Sequence, residues 1–227
     1  MQGYMLIDKP KGWTSFDVVN YVRKIVATTE GKKPKNCKVG HTGTLDPLAT
    51  GLLVILVGKE YTRRAGELSK QDKTYDVTMK LGEESATGDE EGAKTAIATR
   101  KPSEVELKAA LVKFTGSISQ VPPAFSAIKV NGQRAYDLAR KGQAVVLQSR
   151  TVMVHGIELI KYDYPFVRFV ASVSSGTYIR SLVEDLGRAT GTGAYMSDLR
   201  RIQIGDFDIE SAVLPNVPEL LSNLRQL

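Results

Sequence analysis

One stretch of this sequence decides the fold: Gly40-His41-Thr42-Gly43-Thr44-Leu45-Asp46-Pro47-Leu48-Ala49-Thr50-Gly51-Leu52-Leu53-Val54-Ile55-Leu56-Val57. Its second half, from Leu52 to Val57, is aliphatic throughout. Such a run is too short to span a membrane and is typical of a strand buried on both faces. Its first half places a histidine and a carboxylate among glycines and threonines. Polar loops held on a rigid strand often carry binding or catalytic side chains.

Asp46 is followed by Pro47, and two local structures explain that order. An acidic N-cap followed by proline at the first helical position begins many helices. Alternatively, the proline steers the preceding residue out of the α region and holds Asp46 in an extended loop or turn. Gly40 and Gly43 permit a positive φ or a close approach of a ligand to the backbone. His41 by itself is also explained as a hydrogen-bonded structural histidine.

Composition bounds the class of protein. The 227 residues suffice for one sizeable domain, and 42% hydrophobic with 25% charged residues is ordinary for a globular protein. The single cysteine, Cys37, allows no internal disulfide and favours a reducing compartment. No apolar run has membrane length and no signal-peptide pattern is visible, which favours the cytoplasm. The net charge of +6 suits a polyanionic partner such as nucleic acid.

Periodicity and capping patterns predict alternating strands and helices in one domain. After Thr14 or Ser15, a helix is expected with Phe16, Val19, Val22 and Val26 on its apolar face. The other predicted elements are a strand over 4–9, a helical segment over 59–70, a strand over 73–81, a helix begun by a Ser103–Glu106 capping box, two strands within 145–164 broken at Gly156, a strand through 167–173 and a helix over 181–188.

A basic segment between residues 120 and 142 carries a hairpin signal. Asn131-Gly132 is typical of a tight turn, and a short helix ending at Gly142 is expected to follow. Basic side chains lie here with the aromatics Phe125 and Tyr136. That mixture suits RNA loops, where phosphates and unstacked bases are both available. An ordinary basic hairpin explains it as well.

Several segments together resemble one known family. Residues 40–53, Gly-His-Thr-Gly-Thr-Leu-Asp-Pro-Leu-Ala-Thr-Gly-Leu-Leu, resemble the signature of the TruB family of tRNA pseudouridine synthases. The other similar segments are 9–15, 72–75, 176–180 and 199–205. The resemblance implies an isomerase that converts uridine 55 in the T loop of tRNA to pseudouridine after flipping out the base, with no metal and no cofactor. It also implies an α+β pseudouridine synthase fold: a mixed, largely antiparallel central sheet flanked by helices, with an inserted thumb hairpin.

The resemblance implies roles for particular side chains. Asp46 would be the essential catalytic carboxylate, Tyr75 would stack on the target base, and Arg180 would pair with Asp46. From pattern alone, Tyr75 could equally be a sheet aromatic. Arg180 could be a surface arginine in the first turn of a helix, where the helix dipole disfavours it. The remaining implied substrate-binding residues are His41, which would fill the space left by the flipped base, Tyr178 and Leu199 in the pocket walls, and Lys129 and Tyr136 in the thumb, about 117–150.

The resemblance also implies a domain organisation and partners. Residues 1–227 would form a single catalytic domain without the C-terminal PUA domain that most members carry. The expected partner is the T-stem-loop of tRNA, with no membrane and no small-molecule cofactor, and the expected state is a monomer. In the acidic loop Thr87 and Asp89 match the family, whereas Ser85 and Ala86 depart from its threonine and aspartate.

Two rival functions remain open at this point. The first is a catalytically idle RNA-binding protein built on the same fold. The second is a hydrolase using Asp46 and His41, for which the sequence offers no second acid at a usable position. Tritium release from C5 of uridine would distinguish the isomerase from the idle binder.

Overall fold

The structure is a computed structural model that describes residues 1–126, 128–130 and 132–226. It divides into two compact units. The terminal unit comprises Met1–Tyr75 and the chain from Leu199 onward, and the central unit comprises Asp76–Asp198. Within the described ranges, no helix is both long and apolar enough to cross a membrane.

The elements are, in chain order, β1 (Gly3–Lys9), α1 (Ser15–Thr29), β2 (Val39–His41), β3 (Thr50–Val57), α2 (Lys59–Arg63), α3 (Ala65–Leu68), β4 (Lys73–Leu81), β5 (Glu83–Ser85), β6 (Lys94–Ala96), α4 (Glu104–Lys113), β7 (Gly116–Gln120), β8 (Lys129–Val130), β9 (Gln133–Arg134), α5 (Ala135–Arg140), β10 (Arg150–Asp163), β11 (Phe166–Val173), α6 (Ile179–Ala189), β12 (Ala194–Ile204) and β13 (Phe207–Asp208). Short 3₁₀ turns lie at Pro34–Asn36, Ile209–Ser211 and Leu220–Asn223. β4 and β12 contribute residues to both units.

The terminal unit is built on β3, which pairs antiparallel with β1 and β2 and parallel with β12. Alternate side chains of β3 enter two apolar clusters, one shared with α1 and the other with α2 and α3. The predicted strand buried on both faces is therefore confirmed. Gly51, the second residue of this strand, has φ +101°, and a Cβ there would lie 2.2 Å from the carbonyl oxygen of Arg201. Glycine at this position is what allows β3 to pair with β12.

Helix α1 begins as predicted and differs in one apolar residue. Thr14 is the N-cap and forms a capping box with Asp17. Val22 and Val26 are buried, whereas Phe16 is 59% exposed, so its expected place on the inward face was wrong. Each residue turns a helix by about 100°, which carries Phe16 away from the stripe centred on the valines.

The central unit contains a sheet with the order β12-β4-β11-β10-β7. The pairs β10–β11 and β10–β7 are antiparallel. The predicted alternation along β4 and β11 is confirmed, because every second side chain is buried. α4 starts at the predicted Ser103–Glu106 capping box and packs against β10 and α6. Helices with a largely antiparallel sheet confirm the α+β class.

Two predicted elements differ in detail from the structure, and a third lies partly outside the described residues. The strands expected to break at Gly156 form one strand, β10, with a register shift between Val154 and Gly156, because a bulge absorbs an extra residue without ending the pairing. The helical segment over 59–70 is two short helices, α2 and α3. The predicted hairpin is present, since β8 and β9 pair through Lys129 and Arg134. Its turn residue Asn131 lies outside the described residues.

Candidate active site

Asp46 lies in an irregular loop between β2 and β3, and no helix starts there. The N-cap interpretation of Asp46-Pro47 was therefore wrong. A turn is closed instead by the Ala49 amide, which donates to the Asp46 carbonyl at 3.1 Å. Leu45 anchors the loop: its side chain is buried, its N–H donates to Ser15 Oγ at 2.8 Å, and its carbonyl accepts from the same hydroxyl at 3.0 Å. With its neighbour fixed, Asp46 remains partly exposed.

Arg201 on β12 holds this loop from below the surface. Its side chain is buried, with Nε donating to the Leu52 carbonyl at 2.7 Å and Nη2 to the Gly43 carbonyl at 3.1 Å. Among the described residues it has no carboxylate within ion-pair distance. Burial lowers the pKa of Arg201, and the charge and side-chain hydrogen bond of Tyr75 oppose that shift. Arg201 thus ties the loop, the start of β3 and Tyr75 together.

Two buried lysines lie in the same region. Lys9 Nζ donates to the carbonyls of Pro10 at 2.9 Å and Trp13 at 2.6 Å, and Lys73 Nζ donates to two other backbone carbonyls. Burial lowers the pKa of each to about 8. For Lys9 the charge of Asp46 is the largest influence in the opposite direction. Asp46 therefore lies close enough to the buried Lys9 ammonium for the two charges to interact.

His41 ends β2 opposite Ile55. Its Nδ1 is buried, and the described part of the chain offers that atom no hydrogen-bond partner. Burial, and then the charge of Arg201, lower the pKa of His41 below its usual 6.5, so the ring is neutral at pH 7. A hydrogen-bonded structural histidine would be expected to have a partner at this nitrogen, and the described residues provide none.

Tyr75 and Leu199 are both buried in the terminal unit, on β4 and β12 respectively. Tyr75 interacts with Arg201, two positions after Leu199. This burial is compatible with a sheet aromatic as well as with a stacking platform. Their predicted contacts with a bound base remain predictions.

In the central unit, Arg180 stands in the first turn of α6 and is buried. Its Nη1 lies 3.5 Å from Asp89 Oδ2 and donates to the Thr87 carbonyl at 3.1 Å, and its Nη2 donates to the Phe125 carbonyl at 2.8 Å. The surface-arginine interpretation was therefore wrong, because the neighbouring acidic loop supplies a buried carboxylate that offsets the unfavourable helix position. The predicted pairing of Arg180 with Asp46 stays a prediction.

Tyr178 immediately precedes α6 and is held by its backbone. Gln120 accepts from its N–H at 2.8 Å and donates to its carbonyl at 3.0 Å. The Arg150 guanidinium carbon lies 4.8 Å from the centre of the Tyr178 ring. These contacts fix the residue in place and leave its predicted role untested.

The thumb residues lie in the hairpin and the helix that follows it. Lys129 on β8 is exposed. Tyr136 on α5 is partly buried, with the guanidinium carbons of Arg134 and Arg140 at 5.8 and 5.5 Å from its ring centre. The structure thus places cations beside an aromatic ring, as the sequence pattern suggested.

Sequence reasoning missed four buried charged residues at these sites: Lys9, Lys73, Asp89 and Arg201. A signal for two of them was present. Lys9 continues the inward alternation of Met5 and Ile7, and Lys73 continues that of Tyr75 and Val77. When a cation occupies an inward-facing position on a strand, beside buried apolar residues, we expect the fold to supply hydrogen-bond acceptors for it. Among the described residues no cluster of histidine, cysteine, aspartate or glutamate is placed to hold a metal ion.

Two solved structures contain chains that are similar to this one. The chain resembles a chain in a crystal structure of a Cbf5-Nop10-Gar1 complex, with TM-score 0.71 and 31% identity over 93% of this chain. It also resembles one in an H/ACA RNP bound to a substrate RNA containing 2′-deoxyuridine, with TM-score 0.69 and 26% identity. This chain spans 52% and 58% of those two chains. The shared architecture is the pseudouridine synthase fold.

Curated relatives and family models cover most of the sequence. Proteins named tRNA pseudouridine synthase B are 40% identical in Chlamydia pneumoniae and 46% identical in Clostridium acetobutylicum, over 95% and 92% of this chain and 88% and 69% of theirs. Residues 30–179 match the TruB family pseudouridylate synthase N-terminal domain, and residues 180–221 match the tRNA pseudouridylate synthase B C-terminal domain. On these matches, the chain belongs to the TruB family of pseudouridylate synthases, which are isomerases.

Proposed function

We propose that this protein converts uridine 55 in the T loop of tRNA to pseudouridine, with Asp46 as the catalytic carboxylate. The observation that carries the proposal is the loop itself. The Asp46 carboxylate is held partly exposed in a loop that leads into the rigid strand β3, near the buried cation of Lys9 and without a helix to cap. A carboxylate that is fixed in position and accessible to a ligand is suited to act at a sugar carbon.

The reaction exchanges two bonds. The bond from uracil N1 to ribose C1′ breaks, the base turns, C5 bonds to C1′, and the proton lost from C5 is balanced by a proton taken up at N1. The Asp46 carboxylate would act as nucleophile, or would stabilise oxocarbenium character and remove a sugar proton. Because the exchange is internal to one nucleotide, no redox partner or energy source is required.

The base must leave the T-loop stack before Asp46 can reach its sugar, at a cost of a few kcal/mol. A neutral His41 near the loop is suited to fill the vacated space. Tyr75 would stack on the base as it turns, and Arg180 would pair with Asp46. The remaining proposed contacts are Tyr178 and Leu199 at the pocket walls, with Lys129 and Tyr136 gripping the T loop from the thumb, about 117–150.

The proposal includes the partner and setting. The names of the curated relatives support tRNA as the substrate, and the T-stem-loop is the part that we propose the protein binds. We further propose that residues 1–227 act as one catalytic domain, as a monomer, in the cytoplasm and without a cofactor.

The test uses an unmodified tRNA transcript labelled with tritium at C5 of uridine. The wild-type protein should release tritium, and Asp46→Asn should bind the transcript and release none. The exposed residue Asp163 at the end of β10 provides a matched control, so Asp163→Asn should release tritium at the wild-type rate. Release by Asp46→Asn at the wild-type rate, or none from the wild type, would refute the proposal.

A further inference from the structure

A basic groove in the terminal unit lies outside the candidate active site. It has a volume of ≈ 610 Å³ and runs between α1 and the segment leading into β2. Its lining residues are Asn20, Arg23, Lys24, Pro34, Lys35, Cys37, Lys38 and Val39. The described lining therefore carries four cations and no carboxylate.

The cations of this groove are available to a ligand. Lys24, Lys35 and Lys38 are exposed, and none forms an ion pair within the described part of the chain. Like charges gathered without compensation are unfavourable to the isolated protein, since each repels its neighbours. An anionic partner would remove that cost.

Arg23 is the ordered member of the set. It donates to Asn20 Oδ1 at 2.7 Å and to the Val39 carbonyl at 3.2 Å, and its guanidinium carbon lies 5.7 Å from the centre of the Phe16 ring. Phe16, Asn20 and Arg23 follow helical spacing along one exposed face of α1. The exposure of Phe16, which packing in the core does not explain, places an aromatic ring beside the cations.

This chemistry fits a nucleic acid strand better than a small anion. The groove is open and its lysines are long and exposed, so a single phosphate would remain largely hydrated. A strand offers successive phosphates to successive cations, and each contact releases a condensed counterion. Exposed aromatics and arginine planes also stack with unpaired bases.

The groove adjoins the candidate active site through β2. Lys38 precedes this strand and His41 ends it. A strand rises about 3.3 Å per residue, so the two residues are separated by roughly 10 Å along the chain. An RNA held at the Asp46 loop can therefore continue past His41 into the groove.

We propose that this groove binds phosphates of the substrate RNA beyond the nucleotide held at the Asp46 loop. This inference rests on the proposed function for the identity of the RNA. Binding in the groove would hold the substrate through contacts that do not touch the reacting atoms.

The experiment compares two triple variants of the whole chain for binding to an unmodified tRNA transcript. The test variant is Lys24→Gln, Lys35→Gln and Lys38→Gln. The control, Lys101→Gln, Lys108→Gln and Lys113→Gln, removes the same charge from exposed positions on or just before α4. All six positions are exposed, so neither variant is expected to unfold.

The dissociation constant is measured from low to high salt. The test variant should bind roughly tenfold more weakly at about 0.1 M salt, and the slope of log affinity against log salt should become shallower by about 2. The control should change neither by a comparable amount. An equal effect of the two variants, or no effect of either, would overturn the proposal and leave the groove to a protein partner or to none.

Tritium release separates this outcome from that of the proposed function. Loss of RNA affinity in the groove variant, together with no release from the wild type, would refute the function and retain an RNA-binding groove. Release from the wild type with unchanged affinity in the groove variant would refute the groove alone.

Discussion

Each of the two units contains a buried arginine, and the two guanidinium groups are stabilised by different partners. Arg180, in the central unit, lies beside the Asp89 carboxylate and bonds two carbonyls. Arg201, in the terminal unit, bonds the carbonyls of Gly43 and Leu52, and the described residues place no carboxylate within reach of it. Burial lowers the pKa of Arg201. Arg180 has a carboxylate partner, whereas Arg201 is held by backbone carbonyls and by Tyr75.

The different partners of the two arginines give them different effects on their surroundings. Carbonyl oxygens fix the direction of a guanidinium without cancelling its charge, so Arg201 both orders the Asp46 loop and keeps that region positive. The pair with Asp89 instead positions Arg180 and screens part of its charge.

Arg180→Met should lower the free energy of unfolding by about 3–5 kcal/mol, because it leaves the buried Asp89 carboxylate without its cation. Asp89→Asn in the same protein should restore about 1–2 kcal/mol of that loss. Urea denaturation of the two single variants and the double variant measures both values. If the losses simply add, the ion pair does not stabilise the central unit as described.

Arg201→Met should lower the free energy of unfolding by about 2–4 kcal/mol, because the carbonyls of Gly43 and Leu52 lose their donor. Removing a buried charge offsets part of that loss. The neighbouring Arg200 is a matched control on the same strand, partly exposed and bonded to Asp8. Arg200→Met should cost less than Arg201→Met in the same urea titration, and the reverse order would contradict the comparison.

The burial of Lys9 predicts that the free energy of unfolding depends on pH. The folded protein lowers its pKa from 10.5 to about 8, so above pH 8 the folded state gives up this proton before the unfolded chain does. The unfolded state then binds more protons, and stability due to Lys9 rises with pH between about 8 and 10.5, by roughly 2–3 kcal/mol. Subtracting urea titrations of Lys9→Met from those of the wild type isolates the rise. A flat difference curve would show that the lysine is not held as a costly buried charge.

The smallest effect is expected for an exposed arginine. Arg168 donates to Asp76 through Nε at 2.9 Å, but its side chain is largely exposed to solvent. Arg168→Gln should lower the free energy of unfolding by about 0.5 kcal/mol, since water competes for exposed ion pairs. Urea denaturation measures it, and a loss as large as that of Arg180→Met would mean that burial does not govern these pairs.

Local patterns predicted much of the secondary structure. The aliphatic run of β3, the alternation of β4 and β11 and the capping boxes at Thr14 and Ser103 depend on residues close in sequence, so they were visible there. The errors arose where a neighbour distant in sequence decided the outcome. Phe16 is apolar and lies on a helix, yet the position of the core leaves it exposed.

Consecutive residues were enough to identify the family, because motif order is a local property, and the resemblance in turn implied the α+β class and the candidate carboxylate. Only the tertiary structure decided that Asp46 caps no helix, that Arg201 and Lys9 are buried beside its loop, and that Asp89 accompanies Arg180. The burial of Lys9, Arg180 and Arg201 depends on which acceptors surround each cation after folding. Burial of a charge is favourable only when segments far apart in the chain supply those acceptors, and no local pattern records that supply.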